Sequence, residues 1–132
     1  MTRWSLHPRL AADTHRLAAW DLCEVLLMDD ARYPWLVLVP RIADAIEVID
    51  LPPLRQRQLW DEVARAARAL RVAASPDKLN IGALGNVVPQ LHVHVIARST
   101  TDAAWPAPVW GRGMPVARTP DQRQALAGLL AL

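Results

Sequence analysis

The run Gln90-Leu91-His92-Val93-His94-Val95-Ile96-Ala97-Arg98 constrains this chain more than any other segment. Polar and branched apolar residues alternate through its first half, the period of a strand with one buried face. Gln90, His92 and His94 then point to one side, and Leu91, Val93 and Val95 to the other. Two imidazoles about 7 Å apart along a strand, beside a carboxamide, form a row of hydrogen-bonding and nucleophilic groups. Such a row suits a phosphate or a metal.

The neighbouring segments supply the rest of a sheet. Residues 8–13 are expected to form a short helix opened by Pro8, whose fixed φ suits a first turn. Extended segments follow at 14–18 and 22–28. Asp29-Asp30-Ala31-Arg32-Tyr33-Pro34 reads as a turn and residues 35–40 as a buried strand, so 22–40 form a hairpin with Pro34 and Pro40 confining the second strand. The clearest helix spans about 54–73, where Leu59, Trp60, Val63, Ala67 and Leu70 recur at helical spacing and Arg, Gln, Asp and Glu fill the other face. Residues 78–83 read as another strand, and a glycine-bearing turn leads into the histidine run. A Pro- and Trp-bearing loop, about 99–118, precedes Thr119-Pro120-Asp121-Gln122, a capping-box pattern with proline at the first helical position. Leu126, Leu129 and Leu130 give that closing helix an apolar stripe.

These elements make an α+β fold: an antiparallel sheet of four to five strands, one long helix on its covered face and a short C-terminal helix. Strand order is not legible. No repeat or linker divides the chain, so residues 1–132 read as a single domain.

A 132-residue chain with 52% hydrophobic residues can build a real core. No apolar run approaches the roughly 18 residues of a membrane span. Residues 1–8 lack the apolar centre of a secretion signal. Cys23 is the single cysteine, so no disulfide forms within the chain, and a cytoplasmic address is expected. The net charge is only +2, and Lys78 is the one lysine among 15 basic residues. Arg65, Arg68 and Arg71 fall beside acids on the long helix, as on a solvated face. No basic cluster is interleaved with aromatics, which argues against a nucleic-acid polymer and leaves a small anionic ligand.

Taken alone, His92 and His94 permit three readings. A His-x-His on a strand can hold zinc, but zinc needs further ligands, and Cys23, His7, His15 and the carboxylates fall at no recognisable spacing. Both histidines could also be sheet-face residues making local hydrogen bonds. The surroundings favour a phosphate site.

Residues 80–98, beginning Asn80-Ile81-Gly82-Ala83-Leu84-Gly85-Asn86-Val87-Val88-Pro89-Gln90, resemble the signature of the histidine triad (HIT) family of nucleotide hydrolases and transferases. That signature runs Asn-x-Gly, a short loop, Gly-Gln-x-Val, then His-x-His-x-His and two apolar residues. Asn80 and Gly82 match its opening, and Gly85-Asn86-Val87-Val88 matches its turn with Asn for Gln. Upstream, Leu26-Leu27-Met28-Asp29 and Pro34-Trp35-Leu36-Val37-Leu38-Val39-Pro40-Arg41 resemble the family's hairpin. The glycine turn and Arg98 fix the register: His92 and His94 take the second and third triad places, and Gln90 the first. Trp35 stands where better-known branches carry another histidine, and the 29–34 loop is shorter than theirs. The pattern is most similar to a bacterial branch described as diadenosine tetraphosphate hydrolase-like.

The resemblance implies that His92 attacks the α-phosphorus of a nucleotide and that water cleaves the nucleotidyl-histidine. A neutral imidazole is required, its other nitrogen holding a proton against a backbone carbonyl. His94 is expected to stay protonated beside phosphate and stabilise charge, and Gln90 to donate a neutral hydrogen bond. A slower enzyme follows, short by about 1–3 kcal/mol of transition-state stabilisation; a nucleotide-binding protein with little turnover is the alternative. By the same resemblance Asn80 and Asn86 contact phosphate oxygens and Asp29, with Asp30 as competitor, holds ribose hydroxyls. Arg98 offers a phosphate fork. Trp35 reads as pocket wall, and Trp105 and Trp110 as loop packing or a lid. No cofactor is required, though magnesium can accompany a polyphosphate substrate, and a homodimer is expected.

Overall fold

A computed structural model describes residues 3–132. Met1 and Thr2, the start of the stretch read as lacking a signal-like centre, lie outside the described residues. The described chain runs α1 (Pro8–Asp13), β1 (Thr14–Ala19), β2 (Cys23–Met28), β3 (Trp35–Pro40), α2 (Pro53–Ala74), β4 (Lys78–Gly82), β5 (Val93–Arg98) and α3 (Pro120–Leu130), with a 3-10 turn at Val48–Asp50. The sheet has five strands in the order β1-β2-β3-β5-β4, every pair antiparallel. The α+β reading therefore holds. The histidine strand is shorter than its alternation suggests, because Gln90, Leu91 and His92 precede the first ladder pairing, Val93 with Leu38.

Sequence chemistry sets the helix ends. Pro53 opens α2, and Ser75 closes it at φ 45°, its N–H bonded to the Arg71 carbonyl, with Pro76 blocking any continuation. At α3 the capping box forms: Gln122 N–H reaches Thr119 Oγ1 at 3.1 Å, and Thr119 N–H reaches Gln122 Oε1 at 2.9 Å.

Each face of the sheet has its own apolar layer. Val25, Leu27, Leu36, Leu38, Val93 and Val95 pack under α2, which contributes Leu59, Val63, Ala66 and Leu70. Leu26, Trp35, Val37, Val39 and Ile96 face the opposite side, covered by Tyr33, Val88, Ala104 and Val109. This two-sided burial explains why β3 is apolar at every position.

Two expectations for α2 fail. Trp60 is half exposed, while Glu62, assigned to the solvated face, is buried. Its two carboxylate oxygens accept the N–H groups of Leu22 and Cys23, each at 2.9 Å. Those donors end the β1–β2 turn and have no ladder partner there, so a buried acceptor on the helix is worth more than an apolar side chain.

Candidate active site

The two histidines differ in their ring chemistry. His92 Nδ1 lies 2.7 Å from the Gln90 carbonyl oxygen. A carbonyl can only accept, so Nδ1 carries the proton and Nε2 keeps its lone pair. His94 is the reverse. The Trp35 indole nitrogen lies 3.0 Å from His94 Nδ1, and an indole N–H can only donate. Nδ1 is therefore unprotonated, and Nε2 directs its proton to the Leu84 carbonyl at 3.2 Å. The rings meet edge to face with centroids 4.9 Å apart.

This overturns the expected cationic His94. Burial, followed by the neighbouring His92, lowers its pKa to about 4, and a neutral His94 brings no positive charge to a phosphate. Its proton instead ties β5 to the glycine-bearing turn. Gly85 brings that turn against His92: a Cβ there would lie 2.8 Å from the Val88 carbonyl and 3.5 Å from His92 Cε1.

A cavity of about 630 Å³ opens over both rings. α1 supplies Leu10 and Asp13 to its wall, the end of β2 Met28, the turn after it Asp29, and the 99–118 loop Val109 and Trp110. Trp110 stands edge-on to His94 at 5.3 Å and to Trp35 at 6.4 Å. Of the two loop tryptophans, Trp110 thus forms the wall beside the histidines, and Trp105 lies 5.7 Å from the Arg98 guanidinium. A second recess of about 190 Å³ also borders His92 and is lined by Glu47, Asn86 and Gln90.

The remaining sequence candidates divide. Asn86 and Asp29 line the cavity; Asp29 Oδ1 accepts the Arg118 N–H at 2.9 Å and lies 3.3 Å from His15 Nε2. Asp30 reaches the cavity too, but both its oxygens are engaged by the Arg32 guanidinium. Arg98 is no phosphate fork. It is 2% exposed, paired with Asp102 at 2.7 and 3.0 Å, with Asn80 Oδ1 at 2.8 Å and with the Ala107 carbonyl at 2.8 Å. Asn80 is accordingly turned to Arg98 and is absent from the cavity wall. The Gln90 carboxamide is also committed, its Oε1 accepting His7 N–H at 2.8 Å and its Nε2 donating to the Ser5 carbonyl at 2.9 Å.

Three contributors escaped sequence reasoning. Asp102 accepts the N–H groups of Ser99, Ala104 and Trp105 besides pairing with Arg98, which organises the loop that delivers Trp110. Arg118 fastens the loop's far end to the Met28 and Tyr33 carbonyls. α1 is legible as a helix, but nothing local marks it as a cavity wall. The available signal was Asp102 four residues after a strand-end arginine, in a Ser/Thr-rich turn.

A five-stranded antiparallel sheet presenting His-x-His beneath a glycine-bearing turn defines a histidine-triad type of protein. The HIT domain matches residues 9–101, and the chain belongs to that family. It is similar over nearly its whole length to three solved histidine triad proteins. One from Bradyrhizobium japonicum is 52% identical, with 98% of this chain and 97% of that one covered and a TM-score of 0.96. One from Sinorhizobium meliloti is 44% identical, with 97% and 95% covered and a TM-score of 0.95. One from Marinobacter aquaeolei is 44% identical, with 98% and 94% covered and a TM-score of 0.95. No curated protein matches the chain.

Proposed function

We propose that this protein is a nucleotide hydrolase that attacks the α-phosphorus of a nucleoside phosphoanhydride or phosphoramidate through His92. The observation that carries the proposal is the Gln90 carbonyl on His92 Nδ1. It fixes the tautomer that leaves Nε2 nucleophilic and stabilises the ring as it becomes cationic on attack. This bond uses backbone, so it survives the loss of a histidine at position 90. The apolar walls Leu10, Met28 and Val109 suit a base, and Asp29 and Asn86 line the same cavity as polar groups able to serve ribose and phosphate oxygens.

Magnesium enters only as the companion of a polyphosphate chain. A metal held by His92 and His94 together would have to displace the Trp35 or Leu84 partner of His94. A homodimer belongs to the same proposal. β4 ends the sheet with one edge unpaired by any described strand, while the apolar stripe of α2 covers the chain's own sheet. Sedimentation analysis tests this.

The test of the function is turnover of dinucleoside polyphosphates and adenosine phosphoramidate beside His92→Ala. The parent is expected to yield a trapped mononucleotide on His92, and the variant to lose turnover. Equal rates in the two would sink the assignment.

A further inference from the structure

His92 has a lone pair for attack, but among the described residues neither side chain flanking it on the same face is free to protonate the group that leaves. His94, whose ring centroid lies 4.9 Å from that of His92, is held on both nitrogens: the Trp35 indole N–H donates to Nδ1, and Nε2–H donates to the Leu84 carbonyl. The ring is 4% exposed, packed against His92, Trp35 and Trp110. Both ends of the Gln90 carboxamide are bonded to the backbone of residues 5–7. The charged groups sharing the cavity are Arg9 and Asp13 on α1, Asp29, Asp30 and Arg32 on the hairpin turn, and Arg112 on the loop. None of these hydrogen-bonds His94, so no carboxylate favours its cation.

We propose that Trp35 is a positioning residue that withholds His94 from proton transfer, so that the site releases leaving groups stable as anions. This rests on the nucleotidyl-His92 reading and narrows its substrate class to phosphoanhydrides. In the first step the Nε2 lone pair of His92 forms a bond to phosphorus. The phosphorus–oxygen bond to the leaving group breaks, and its electron pair departs on that oxygen as a phosphate anion. His92 becomes a cation, its Nδ1–H still donating to the Gln90 carbonyl. Water then attacks phosphorus, gives a proton to solvent, and the phosphorus–nitrogen bond breaks to return neutral His92. A phosphoramidate nitrogen would have to be protonated before it could leave, and Trp35 has immobilised the group that would do so.

The test is a series of aryl esters of adenosine 5′-monophosphate, from p-nitrophenyl to phenyl, with adenosine phosphoramidate at the slow end. For the parent, kcat/KM is expected to fall by roughly 100-fold or more across the series, the scale of an absent general acid. In Trp35→Phe the indole N–H is gone, His94 Nδ1 can take a proton, and the spread is expected to shrink by roughly 10-fold in mildly acidic buffer. Nitrogen NMR of the parent needs no variant: His94 should remain a neutral Nε2–H tautomer from about pH 8 down to about pH 5. A shallow series in the parent, or a His94 titrating near about 6.5, overturns the inference. Trapping nucleotidyl-His92 from the p-nitrophenyl ester separates the two claims. If the trap succeeds and the series is shallow, only the role of Trp35 falls; if no adduct forms, the hydrolase reading falls with it.

Discussion

The Gln90 carbonyl oxygen stands 2.7 Å from His92 Nδ1, while the side chain of the same glutamine reaches away to the Ser5 carbonyl and the His7 N–H. One residue thus orients the His92 ring with its backbone and clamps the segment preceding α1 with its amide. Gln90 is a fastener rather than a weakened triad histidine.

Restoring a histidine at this position should therefore bring no gain. Gln90→His is expected to leave kcat at or below the parent value. Gln90→Ala should lower stability by about 1–2 kcal/mol as two backbone groups lose their partners. Chemical denaturation and steady-state kinetics on both variants check this, and a faster Gln90→His would contradict it.

The Arg98–Asp102 pair should behave as structure. Replacing Arg98 by Ala strands a buried carboxylate and is expected to cost about 3–5 kcal/mol. The Arg98 guanidinium, helped by backbone N–H groups, holds the Asp102 carboxyl at about 2. Its folded pKa lies below that of the unfolded chain, so the stability it supplies is complete above about pH 4 and is lost as pH falls through about 2. Asp102→Asn should flatten the acid limb of the stability curve by about 2–3 kcal/mol. Urea melts at stepped pH values measure it.

Gly85→Ala places a methyl 2.8 Å from the Val88 carbonyl, against backbone that cannot swing aside, and 3.5 Å from His92 Cε1. With His92 as the proposed nucleophile, displacing it by a fraction of an ångström is expected to lower kcat by roughly 10–100-fold. Gly82→Ala, whose methyl meets the Trp110 ring at 3.3 Å, should be milder. Kinetics of the pair, with circular dichroism as the folding control, decide the order.

Glu62 and Cys23 give a thiol readout of the fold. Cys23 is fully buried, and burial together with the Glu62 carboxylate pushes its thiol up. It should resist thiol reagents in the native protein and react on unfolding. Glu62→Ala leaves two buried N–H groups unpaired, should cost about 2–4 kcal/mol, and should speed Cys23 labelling. Prompt labelling of the parent would show that the turn is not closed as described.

The sequence by itself determined the elements and the histidine pair where the fifth strand begins. The apolar periodicity of residues 54–73, the turn residues at 29–34, the Thr119 capping box and the alternation at 90–95 act within a few residues, so their consequences are readable locally. The glycine turn before His92 and His94 placed both in one register. Only the tertiary structure decided what each polar side chain faces. Trp35 and His94 are 59 residues apart, Gln90 and His7 are 83 apart, and Asn80 and Arg98 are 18 apart. A donor or acceptor has no periodicity; its role is fixed by whichever buried group most needs a partner once the sheet has closed. For that reason the histidine expected to carry charge is neutral, the arginine expected at phosphate holds a loop, and Gln90 serves the site through its carbonyl.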